Sequence, residues 1–70
     1  MNAIELKVQM VRKKKTAEQL YTALGISSSA WFRKVNGENV FTQVEISKLR
    51  DELDLDNDLT CAIFFDGYVS

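Results

Sequence analysis

The sequence predicts an all-α domain built from five short helices. Three observations carry that prediction: the 70 residues contain no proline, apolar residues recur at three- and four-residue spacing, and capping residues stand where each run starts or stops. A hydrophobic share of 46% beside a charged share of 27% is the balance of a chain that folds into a globule.

The first helix is expected from about Asn2 to Lys13, with Ile4, Val8 and Val11 as its apolar face. Lys7, Arg12 and Lys13 fall outward or at its end, where cations suit the negative end of the helix dipole. Thr16 and Gln19 have the spacing of a capping box and open a second helix, Ala17 to Leu24, with Leu20 and Leu24 inward. Gly25 stops it, since a left-handed residue past a helix end is least costly without a Cβ. Ile26 follows as a buried turn residue. Ser27 then caps a third helix reaching about Asn36, with Trp31 and Val35 as its stripe and Gly37 as its stop. The loop Glu38 to Phe41 leads to Thr42, which forms a second capping box with Glu45 ahead of Val44, Ile46, Leu49 and Leu53. The last helix starts near Asp56 or Asp58, acids that suit a helix amino terminus, and carries Leu59, Ile63 and Phe64 inward. From Phe65 to Ser70 the chain reads as a helix end, an extended arm or a disordered tail, giving a domain over 1–66 and a tail over 67–70.

Composition excludes several classes of function. Without histidine and with one cysteine, the chain has no imidazole to activate a serine or cysteine nucleophile and too few ligands for a zinc-finger site. A paired-carboxylate hydrolase needs a cleft that a chain this short hardly encloses, so no enzyme, cofactor or metal is expected. Cys61 has no second cysteine to pair with, which places the protein in a reducing compartment, the cytosol. No segment reads as a signal peptide or membrane span. A core of this size is only marginally stabilising, so a partner is expected.

The net charge of −1 hides two unlike halves. Residues 1–37 carry seven cations against two carboxylates, a balance of +5, whereas residues 38–70 carry two cations against eight carboxylates, a balance of −6. A basic half of this kind is an electrostatic footprint for a polyanion such as DNA; a merely solvated basic face explains it equally well.

The segment from Thr16 to Val35 narrows the choice. It is a short capped helix, a glycine turn with a buried isoleucine, a serine cap and a second short helix, the sequence recipe of a helix-turn-helix that presents its second helix to a DNA major groove. Thr16, Leu20, the run Leu24-Gly25-Ile26-Ser27, the run Trp31-Phe32-Arg33-Lys34-Val35-Asn36-Gly37, Phe41-Thr42, Ile46 and the closing Ile63-Phe64-Phe65 together resemble the phage-type Cro/C1 (XRE-like) helix-turn-helix repressors, over about Val8 to Phe65. The resemblance implies a compact five-helix lambda-repressor-like domain. It also implies a sequence-specific regulator of phage or mobile-element genes that commonly acts as a dimer on operator DNA. Two positions depart from the family pattern. Tyr21 stands where a small alanine is usual, crowding the interhelical contact unless its ring swings to the edge, and Ala17 stands where a phosphate-binding glutamine is frequent.

Matched residue by residue, Ser27, Ser28, Ser29, Phe32 and Arg33 are the base-reading candidates. Arg33 leads for specificity, because a guanidinium fits guanine O6 and N7 as a fork, and Phe32 suits a thymine methyl unless it packs over the following loop. Lys13, Lys14, Lys15, Thr16, Lys34 and Asn36 are the phosphate candidates, which set affinity and register. One short recognition helix reads few base pairs, so a homodimer is expected, through the apolar carboxyl end: Ile63, Phe64, Phe65, Tyr68 and Val69. The rival reading is an antirepressor-like modulator that keeps the fold and grips another phage regulator with its acidic half. Trp31 and the phenylalanines at 41, 64 and 65 are most simply core, and Cys61 a small buried hydrophobe. Asp54, Asp56 and Asp58 alternate like a calcium loop but lack its glycine and closing glutamate, so they read as linker and cap.

Overall fold

A computed structural model describes residues 1–65. Residues 66–70, and with them Tyr68, Val69 and the expected tail boundary, lie outside the described residues. Among those described the protein is entirely helical: α1 Ala3–Arg12, α2 Ala17–Leu24, α3 Ser28–Val35, α4 Gln43–Glu52 and α5 Asn57–Phe64.

Every helix starts on a side-chain cap. Asn2, Thr16, Ser27, Thr42 and Asp56 each accept a hydrogen bond from the backbone N–H three residues on, and Thr16–Gln19 and Thr42–Glu45 close as full capping boxes. Asp56 is thus a cap, as the linker-and-cap reading expects.

Three of the corners share one turn, in which a left-handed residue is followed by one inward-leaning residue and then by the next cap. The residues are Lys14-Lys15-Thr16, Gly25-Ile26-Ser27 and Asp54-Leu55-Asp56, with φ of 56°, 74° and 50° at the first position. In each, paired bonds satisfy the last carbonyls of the preceding helix: Lys14 N–H to Val11 O and Lys15 N–H to Met10 O, Gly25 N–H to Thr22 O and Ile26 N–H to Tyr21 O, Asp54 N–H to Asp51 O and Leu55 N–H to Arg50 O. Glycine marks only the middle corner, so the other two carry no stop signal in the sequence.

The core joins Leu6, Leu20, Leu24, Trp31, Leu49, Leu53, Leu55 and Ile63 with a run of edge-to-face rings, Trp31 to Phe41 at 5.6 Å and Phe41 to Phe64 at 5.7 Å between centroids. The start of the chain is tied in by the Asn2 N–H, which donates to the Ile63 carbonyl at 2.7 Å. Tyr21 is half-buried against the core cluster rather than fully inserted, as its bulk requires.

Four expectations are corrected. Ile4 and Val11 are each 78% exposed and Val8 is exposed too; α1 turns Leu6, Gln9 and Met10 inward instead. Gln9 is admitted to the core because its Nε2 donates to Glu5 Oε1 at 2.9 Å. Val44 is 65% exposed, since Leu49 and Leu53 already define the inner face of α4. Cys61 is exposed rather than buried. Ile63 and Phe64, expected at a dimer surface, are buried in the protein's own core, Phe64 reaching the surface only at the concavity it lines with Phe41 and Phe65; Phe65 is half-buried against that core.

Candidate nucleic-acid interface

The site begins with the way the sequence aims α3. The Gly25 corner turns the chain at the end of α2, Ser27 Oγ accepts from the Ala30 N–H at 3.1 Å to fix the first turn of α3, and Trp31 pins the inner side at 2% exposure. At about 100° per residue, Ser28, Ser29, Phe32, Arg33 and Asn36 then fall within an arc of about 140° on the other side, and all five are exposed, as is Ser27 at the cap. Phe32 is 52% exposed and outside the core cluster, so it does not pack down over the following loop. The Arg33 carbonyl accepts from the Glu38 and Asn39 N–H groups, but its guanidinium has no partner among the hydrogen bonds and ion pairs of the described residues.

No protein-family profile matches the chain, and no curated protein or solved structure matches it either. The reading of this face therefore rests on its own chemistry.

The cationic candidates divide into two groups. Lys13 and Lys14 are exposed at the corner before α2, one α2 length, about 12 Å, from the start of α3. Thr16 is exposed beside them, with its hydroxyl engaged by the Gln19 N–H at 3.2 Å. Lys15 and Lys34 are turned to internal work. Lys15 Nζ lies 3.5 Å from Glu52 Oε2 and links the α1–α2 corner to α4. The concavity beside it is lined by Thr16, Gln19, Thr22 and two carboxylates, Glu18 and Glu52, a poor setting for a phosphate.

Lys34 is more firmly held. Its Nζ donates to Glu45 Oε1 at 3.0 Å and to the Val40 carbonyl at 3.1 Å, with both ion-pair side chains only 14% exposed, and it stands 5.7 Å from the centroid of the Phe41 ring. It staples the α3–α4 loop to the start of α4. Burial alone pushes the Glu45 carboxyl up, but the Thr42 backbone N–H, the Lys34 ammonium and the Thr42 hydroxyl together outweigh it and hold the group below its ordinary range. The sequence carries a signal for this pairing only in hindsight: Glu45 closes a capping box, so its carboxylate is fixed in place and a cation one loop away has a stationary partner.

The surviving surface is a strip of hydroxyls, one aromatic ring, one guanidinium and one carboxamide along α3, with two free ammonium groups at the far end of α2. Such a strip offers hydrogen-bond donors and acceptors plus an apolar contact along one exposed helix side, which suits recognition of an extended polar surface.

Proposed function

We propose that the chain is a sequence-specific DNA-binding regulator of transcription, a Cro/C1-like repressor of phage or mobile-element genes acting by binding and without catalysis. The observation that carries this reading is the exposed side of α3, where Ser28, Ser29, Phe32, Arg33 and Asn36 stand together on a helix capped at its start and anchored from behind by Trp31. On this reading α2 and α3 are the two helices of a helix-turn-helix in a lambda-repressor-like arrangement, α3 enters the major groove, and two copies meet two half-sites. Arg33 forks onto a guanine, Phe32 covers a thymine methyl and the serines take base edges or phosphate. Lys13 and Lys14, with Asn36, hold the backbone, while Lys34 is removed from the contact set by Glu45 and Lys15 is drawn toward Glu52.

The test is retardation of duplex fragments from the gene's own control region. Binding is expected at low salt and should weaken steeply as salt rises, log K falling by about 0.9 per phosphate neutralised for each unit of log salt. Arg33→Ala should cost roughly 1–3 kcal/mol on the specific duplex and relax preference at one base pair, whereas Lys14→Ala should weaken all duplexes alike and flatten the slope by about one. Absence of any retarded fragment at low salt ends the proposal.

A further inference from the structure

The outward side of α1 is apolar and is covered by none of the described residues. Ile4, Val8 and Val11 lie within about 60° of one another around the helix, directly opposite the inward Leu6, Gln9 and Met10, and all three are exposed. Lys7 borders one flank of this stripe and Arg12 the other. Three β-branched side chains aligned on a surface helix lose little conformational freedom on being covered, and an aligned patch of this kind marks an interaction surface rather than scattered exposure.

The charges around the stripe say what covers it. In an antiparallel pairing of two α1 helices, a two-fold axis midway between Lys7 and Val8 sets Ile4 of one copy over Val11 of the other and lets Val8 meet Val8 across the axis. Arg12 and Glu5 share one flank, and in this arrangement Arg12 of each copy comes within about two residues, roughly 3 Å along the axis, of Glu5 of the other. Glu5 is held in place by the bond from Gln9 to its Oε1, so the arginine meets a positioned carboxylate. On the opposite flank the two Lys7 side chains approach each other near the axis, a mild repulsion that long solvated side chains largely escape.

We infer that this α1 face is the surface on which a second copy of the chain docks, antiparallel and with two-fold symmetry. One face of a ten-residue helix is well below the roughly 800 Å² per partner of a standard stable interface, so the pair is weak and concentration-dependent. The inference deepens the proposed function by placing the interface of its dimer on α1 rather than on the buried Ile63 and Phe64. It rests on that reading only for what the dimer serves, since the pairing itself needs no DNA.

Sedimentation of the free protein from about 10 µM to about 1 mM tests it, a range chosen for a weak interface. The average mass should climb from 8.0 kDa toward twice that value. Val8→Asp should raise the dissociation constant at least about tenfold by burying a charge with the helical circular dichroism unchanged, and Lys7→Gln should tighten the pair by roughly two- to fivefold by removing the like-charge contact. Register is read by oxidative cross-linking in a Cys61→Ser background: Val8→Cys should link to itself, and Ile4→Cys should link to Val11→Cys but not to itself. The inference is overturned if the mass stays at one chain throughout, if dimers persist undiminished in Val8→Asp, if Ile4→Cys links to itself as parallel helices would, or if the free protein stays monomeric and sediments instead with phosphatidylglycerol vesicles. Because none of these measurements contains DNA, their failure leaves the retardation test standing, and the reverse holds too.

Discussion

At the scale of single residues, the contact that most changes how the sequence is read is Lys34 with Glu45. A lysine next to the leading base-reading candidate invites assignment to phosphate, but its ammonium has three internal attractions, a carboxylate, a carbonyl and an aromatic face. Lys34→Met should therefore lower thermal stability and leave the salt slope of DNA binding as it is in the parent, measured below the melting temperature of both. The linked acid behaviour has a definite sign. Because the folded protein holds the Glu45 carboxyl below its unfolded range, the associated stability is fully present at neutral pH and is lost as pH falls through that lowered range. Acid unfolding followed by circular dichroism should be shallower in Glu45→Gln than in the parent; an unchanged acid limb would show that the pair contributes nothing to folding. Thr42→Ala, which removes the cap on the same turn, should cost about 1 kcal/mol.

At the scale of elements, the recurring turn at three corners makes a paired prediction of opposite sign. Gly25 sits at φ 74° with open space where a Cβ would be, so Gly25→Ala meets no clash and pays only the backbone cost of a left-handed alanine, about 1 kcal/mol. Asp54 already bears that cost at φ 50°, and Asp54→Gly should recover about half a kcal/mol, less than the full cost because glycine also frees the unfolded chain. Urea unfolding of the two variants should move the midpoint in opposite directions. The capped starts of α2, α3 and α4 were legible in the sequence because a cap is a local event, a side-chain oxygen bonding to an N–H three residues away. Lys14 and Asp54 were not legible as left-handed residues, because lysine seldom adopts that conformation and aspartate takes it as one option among several, so neither type marks a corner by itself.

At the scale of the whole molecule, the core is a single connected cluster to which every helix contributes, so damage anywhere in it is damage to all of it. Stability of a chain this long is on the order of 0.05–0.15 kcal/mol per residue, and Leu49→Ala, emptying a fully buried position, should remove roughly 2–5 kcal/mol. Thermal unfolding should show that variant melting well below the parent, with α3 lost along with the rest in one transition; a variant that melts like the parent would mean that α4 is not integral to the fold. The same connectedness holds Trp31 inside and leaves Ser28, Ser29, Phe32, Arg33 and Asn36 on the surface.

The helix count, three of the five caps outright, the Gly25 corner, the inward Trp31 and the outward arc of α3 all followed from the sequence, because each depends on spacing or on bonds within a few residues. Tertiary structure decided which of two apolar faces of α1 goes inside. Ile4, Val8 and Val11 form the more regular stripe, but the tie from Asn2 to Ile63 and the Gln9–Glu5 bond let the helix turn Leu6 and Met10 to the core. It also decided which lysines are free, since a charge is available to a partner only if no carboxylate from a distant segment has been folded against it, and contacts such as Lys15 with Glu52 span 37 positions that no local pattern can anticipate.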